Sequence, residues 1–148
     1  MAIKISWPGI LAVAIAYVII GQIVYIIGAM ADMGYYTDPS YFAVWSKTMM
    51  PTAGPPGMEF YIMSMAFQFI SGLLFALVYT IVSKSIPGKG WKNKGLMYGF
   101  LVFLIAGIPS TLSMILLINL PLGLILSWML QGLVSYLLVG LVTAKILK

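Results

Sequence analysis

The 148-residue chain contains no cysteine and no histidine, and its eight basic side chains are all lysine, so it contains no arginine either. Each absence removes a chemistry. Without cysteine there is no disulfide exchange, no thiolate nucleophile and no thiolate-bound metal cluster. Without histidine the commonest metal ligand and the usual general base are missing. Without arginine no guanidinium fork can grip a phosphate or carboxylate through two parallel bonds. Acid is equally scarce, since Asp32, Asp38 and Glu59 are the only carboxylate side chains. Charged residues make up 7% of the chain, against roughly 25% in soluble domains, while 62% is hydrophobic. A soluble fold of that composition would expose large apolar patches, so the surplus predicts a surface solvated by acyl chains. The net charge of +5 comes from lysines beside apolar runs. It predicts contact with anionic lipid and no nucleic-acid partner.

Four apolar segments are present, Trp7–Met30, Met58–Ser83, Gly95–Ile118 and Leu122–Ala144, none with a charged residue in its interior. About 20 residues cross a hydrocarbon core of about 30 Å, so each is long enough to span with some tilt. Runs of this length without strand alternation are helices, because lipid leaves the backbone no other partner. The predicted fold is an all-α, antiparallel four-transmembrane-helix bundle forming one domain. The first segment is too long for a signal-peptide core and is read as a retained span. Lys4, Lys84, Lys89, Lys92, Lys94, Lys145 and Lys148 fall on one side and only Lys47 on the other. The first side is therefore expected in the cytoplasm, with both termini, and the plasma (inner) membrane as the location.

The connections differ. Asn119, Leu120 and Pro121 alone separate the third and fourth spans, which predicts adjacent helices and a tight outer turn. Residues 84–94 form a short lysine-bearing turn, with Trp91 at the interface and Lys84, Lys89, Lys92 and Lys94 expected to contact anionic lipid. The long connection is 31–57. Asp38 before Pro39 is a helix-start signal and Pro51 a stop, so a short amphipathic helix is expected over about 39–50 at the outer surface.

Small residues recur at helical spacing: Ala14, Gly21 and Gly28 on the first span, and Gly99, Phe103, Gly107 and Ser110 on the third. Such stripes allow close helix packing in lipid. Pro109 predicts a bend in the third span, with a freed carbonyl for Ser110, Thr111, Ser113 or a neighbour to satisfy. Asp38 and Glu59 are expected to cap or complement helix starts. Ser64 with Gln68 recurs as Ser127 with Gln131 at an offset of 63, as does Thr80 with Thr143, which hints at internal duplication.

Known four-span families part company with the chain at their motifs. It resembles small multidrug-resistance transporters in length but has no glutamate inside its first span. The glutathione-metabolism enzymes require arginine, and quinone-linked disulfide enzymes require cysteine. In layout it is similar to short prokaryotic four-span proteins: aromatics Tyr25, Tyr35 and Tyr36 after an aliphatic first helix, Trp45 in the outer loop, and a Gly99-Phe100 entry to the third helix. That likeness implies no activity.

Counted inward from the outer span ends, Gln22, Gln68, Gln131 and Ser110 fall about eight to ten residues deep, or roughly 12 to 15 Å at 1.5 Å per residue. A single polar layer is therefore expected, facing the bundle interior and joined by Tyr25, Ser64 and Ser127. It would serve either as interhelical glue or as the floor of a ligand pocket in the outer half. The expected function is non-catalytic, with no cofactor and no metal: a homo-oligomer or an accessory subunit of a larger membrane complex. The alternative is a binder or transporter of a neutral, lipid-like or small polar ligand.

Overall fold

The computed structural model describes residues 6–44 and 57–147, and no strand occurs among them. The long α1 (Trp7–Ala31) leads into a single turn, α2 (Met33–Tyr36), a 3-10 turn at Pro39–Tyr41 and the short α3 (Phe42–Val44). Then come α4 (Met58–Val82), α5 (Gly90–Val102), a π-helical turn at Phe103–Gly107, α6 (Ile108–Leu117) and α7 (Leu122–Ile146). Four helices are long and apolar enough to cross a membrane: α1, α4, the composite helix Gly90–Leu117 and α7. Their outward faces carry the apolar side chains, with Met30, Ile105, Leu116 and Leu117 all more than 70% exposed.

The third long helix begins at Gly90, not at Gly95 as the hydropathy predicts. Gly88 and Gly90, at φ 128° and 77°, make the turn that lets it start early. Its lysine-bearing first turn opposes the helix dipole. Lys94 offsets this by donating from Nζ to the Ser83 carbonyl at 3.0 Å, at the negative end of α4. Where a bend is expected at Pro109, the helix makes a π-helical turn just before the proline. One added residue in that turn relieves the clash between a proline ring and the preceding turn. Thr111 Oγ1 donates to the Gly107 carbonyl at 2.8 Å and Ser113 Oγ to that of Pro109 at 3.0 Å. Ser110 is exposed and takes no part.

Two ends of the molecule can be distinguished: a lysine end, with the 83–89 turn and Lys145, and a loop end, with 31–44 and the Asn119–Pro121 turn. At the lysine end α4 meets α5 through Tyr98, whose hydroxyl donates to the Phe75 carbonyl at 2.6 Å and whose ring meets Phe75 edge-on at 4.6 Å. Tyr79, Ile86, Val139 and Ala144 complete that core. Toward the loop end α4 separates: its buried residues are Gly72, Phe75, Ala76 and Tyr79, and none of 58–71 is buried. On α6 only Thr111 is buried. Among the described residues the four helices are thus closely packed at one end and open on the α4 side of the other.

The loop-end connection wraps the start of α7. Asp38 caps the 3-10 turn by accepting from the Ser40 backbone N–H at 2.9 Å and from its hydroxyl. These bonds, the hydroxyl's first, hold its carboxyl below the usual carboxylate range. Tyr41 and Val44 pack on Leu120, Leu124 and Ile125. The remainder of the expected 39–50 helix, with Trp45 and Lys47, lies outside the described residues, as do Lys4 and Lys148.

Backbone contacts set the helix spacing. A Cβ on Gly95 would lie 2.6 Å from the Gly140 carbonyl oxygen, and one on Gly99 would strike the Tyr136 carbonyl, so α5 and α7 touch main chain to main chain. Gly72 of α4 meets the Ala14 backbone in the same way, with 2.7 Å left for a Cβ. Gly132 faces open space. Gly99→Ala is therefore expected to lower unfolding stability in detergent by about 1–3 kcal/mol through overpacking. Gly132→Ala should be neutral or stabilising by up to about 1 kcal/mol. Equal effects at the two positions would contradict the packing described.

Candidate functional site

Two serine–glutamine pairs, each one helical turn apart, face α1 from its two sides. On α7 Gln131 Nε2 donates to Ser127 Oγ at 3.2 Å, and on α4 Gln68 Nε2 donates to Ser64 Oγ at the same distance. Each amide lies across a glycine of α1. Gln131 occupies the space a Cβ of Gly28 would take, and Gln68 Oε1 that of a Cβ of Gly21. The offset of 63 extends to Thr80 and Thr143, which bond the carbonyls of Ala76 and Val139 four residues back, and these two residues are themselves 63 apart and buried.

The two pairs end differently. The α7 pair is closed by Asp32, which is 5% exposed at the C-terminal end of α1. Its Oδ2 accepts from Ser127 Oγ and from Gln131 Nε2, both at 2.9 Å. Beside it Trp128 Nε1 donates to the Tyr36 hydroxyl at 2.9 Å with the rings stacked, and the Tyr35 hydroxyl sits over Gly123. This node locks α1 and the following turn onto α7. Among the described residues neither member of the α4 pair meets a carboxylate. Gln68 Oε1 is buried with no hydrogen-bond partner among the described residues, and the pair opens into a groove of about 480 Å³. Ser64, Gln68 and Ser71 form one wall, and Phe60, Met63, Phe67 and Tyr17 the rest.

The expected single layer is corrected to two tiers. Gly21 and Gly28 are seven residues apart on α1, so Gln68 and Gln131 lie about 10 Å apart in depth. Counting inward from span ends assumes flush ends, whereas Gln131, well inside α7, is level with Gly28 near the end of α1. The start of α7 therefore projects beyond α1, where the loop-end segments cover it. Of the residues expected in the layer, Ser64 joins Gln68 and Ser127 joins Gln131. Gln22 is half-buried and bonds no described side chain, while Tyr25 and Ser110 are exposed. Asp32, which lies outside the expected layer, is the residue that depth counting missed. Its only signal in the sequence was the four-residue step from Gly28, which places it on the same helix face.

The lysine cluster divides as well. Lys84, Lys89 and Lys92 are exposed, and Lys94 is half-buried with its ammonium donating to the Ser83 carbonyl. Lys92 and Lys145 place their ammonium groups 5.7 and 5.8 Å from the Trp91 ring centre. Among the described residues no three acidic, histidine or cysteine side chains cluster to hold a metal.

No family model, curated protein or solved structure matches the chain.

Gly28→Ala is expected to push the Gln131 amide off Asp32 and to cost about 1–3 kcal/mol from the donors left unpaired. Gln131→Ala should cost a similar amount, and the double variant distinctly less than the sum, because each substitution breaks the same bonds. Additive losses in unfolding measurements would show that the two residues are not coupled.

Proposed function

We propose that the chain is a non-catalytic membrane protein, an antiparallel bundle of four spans whose loop-end groove between α1 and α4 holds a neutral, apolar ligand. The observation that carries this reading is the open Ser64–Gln68–Ser71 wall. A polar stripe toward lipid is costly unless something satisfies it, and among the described residues the second amide hydrogen of Gln68 and the Ser64 hydroxyl, both lining the groove, donate to nothing, while the buried Gln68 Oε1 is turned to Gly21. A mostly aromatic and aliphatic lining with a few polar groups is the usual make-up of a small-molecule site. The order of contacts supports the antiparallel arrangement: Ala14 and Gly21 of α1 meet Gly72 and Gln68 of α4, so the numbering falls on one as it rises on the other. The lysine distribution supports a cytoplasmic lysine end.

The non-catalytic part rests on how the carboxylates are used. Asp32 is shut in by Ser127 and Gln131, Asp38 caps a turn, and Glu59 sits in the first turn of α4, where it complements the dipole.

Assembly into a homo-oligomer or a larger complex is the second reading. Close helix association in lipid draws on outward-facing small residues. Here Gly21, Gly28, Gly72, Gly95, Gly99 and Gly140 face neighbours inside the chain, and of the glycines inside the long helices Gly132 alone faces open space, which favours the binding reading.

Two measurements test these proposals. A reporter active only in the cytoplasm, inserted between Lys89 and Lys94, should signal, and one inserted between Tyr36 and Gly54 should stay silent; the reverse would overturn the orientation. Organic extracts of the purified protein should contain one apolar small molecule enriched over bulk lipid. It should be lost on Ser71→Trp, which fills the groove. Identical extracts from both proteins would overturn the binding reading.

A further inference from the structure

The two serine–glutamine pairs are chemical duplicates, and one displays its ligand. On α7 the amide N–H of Gln131 and the hydroxyl of Ser127 converge on a single oxygen, Asp32 Oδ2, at 2.9 Å each. On α4 the internal geometry is the same, with Gln68 Nε2 donating to Ser64 Oγ at 3.2 Å. An amide nitrogen carries two hydrogens, and a hydroxyl that accepts one bond still has its own hydrogen to give. One amide hydrogen and one hydroxyl hydrogen therefore stand ready for an acceptor oxygen, and both side chains line the open groove. No residue of α1 plays the part of Asp32 there: the position equivalent to Asp32, seven residues earlier, is Tyr25, which is exposed.

From this we infer that the Ser64–Gln68 pair is a second acceptor-binding site, filled by a carbonyl oxygen of a membrane-dissolved molecule in place of the carboxylate that Asp32 supplies to the first. The inference rests on the binding reading above and names its ligand class. Depth selects against charge. Gln68 is level with Gly21, ten residues inward from the end of α1, or about 15 Å, near the middle of a hydrocarbon core about 30 Å thick. An ionised headgroup is disfavoured at that depth, so the acceptor is a neutral carbonyl. The walls select for shape. Phe60, Phe67 and Tyr17 offer ring faces and edges, and Met63 a polarizable sulfur, which together suit a flat ring. About 480 Å³ holds such a ring and the first part of an apolar tail. The occupant is thus a carbonyl-bearing ring on an apolar tail, a membrane quinone in class, bound without any redox step assigned to the protein.

The test uses the full-length protein in nanodiscs of diether phospholipid, so that no lipid ester carbonyl competes. Two probes are titrated: a 1,4-benzoquinone with a ten-carbon alkyl tail, and the matching alkylbenzene, which has the same shape and no carbonyl. Wild type should bind the quinone more tightly. Gln68→Leu and Ser64→Ala should each weaken quinone binding about tenfold, the effect of one lost hydrogen bond of this kind, and leave alkylbenzene binding unchanged. Ser127→Ala on the closed pair is the control for general damage and should leave quinone affinity unaltered. Equal binding of both probes, unmoved by the α4 substitutions, would overturn the donor assignment while leaving an apolar binding groove intact. Binding of neither probe would overturn the groove reading and this inference with it. A decanoic acid probe that outcompetes the quinone would overturn the choice of a neutral acceptor.

Discussion

The close approach of α1 to both α4 and α7 is the constraint on which the rest of the molecule depends. Along one helix, Gly28 lies beneath the Gln131 amide, Gly21 beneath Gln68, and Ala14 against Gly72, while Gly9 leaves no room beside Leu147. Lipid supplies no hydrophobic drive for helices to associate, so they adhere by shape and by the hydrogen bonds that close approach permits. A side chain larger than hydrogen at 21 or 28 would displace an amide and remove its bonds along with the packing. The α5–α7 contact through Gly95, Gly99 and Gly140 repeats the principle with main chain against main chain.

Much of the fold follows from apolar run length. All four helices fall on the expected segments, because a long uncharged run has only one way to satisfy its backbone in lipid. Where lysines interrupt the run, hydropathy misplaces the boundary. The helix over Gly90–Leu117 starts five residues before its apolar stretch, since Lys94 finds the C-terminal carbonyls of α4 and Trp91 packs against the core. Pro109 announced a bend, but not the π-helical turn just before it, because that choice depends on how Phe103 and Gly107 share space.

The site was legible as composition and not as geometry. The recurrence of Ser-x-x-x-Gln marked the right four residues, since polar groups in an apolar helix must find partners. Depth was the wrong coordinate for grouping them with Gln22, Ser110 and Tyr25. Helix face decides contact, and helix ends in this bundle are staggered. Asp32 stands just past the apolar run, where sequence alone assigns it no partner. Yet an aspartate at the end of α1 is placed to reach any donors that α7 presents beyond that end, and the projection of α7 supplies them.

The difference between the two pairs follows from the same stagger. Because α7 extends past α1, its pair meets the turn that leaves α1, and the chain's own carboxylate closes over it. Because the α4 pair meets α1 two turns deeper, no turn is near, and a helix interior in lipid is a costly place to station a charge. A duplicated motif set at two depths against one helix thus yields a sealed structural node at one tier and an open, neutral one at the other. Sealing the first fixes α1 to α7, while residues 58–71 of α4 carry no buried side chain at the loop end. That helix carries the donors to which the chain supplies no acceptor among the described residues, so a ligand held there would add contacts to a stretch of α4 that the described chain leaves unburied.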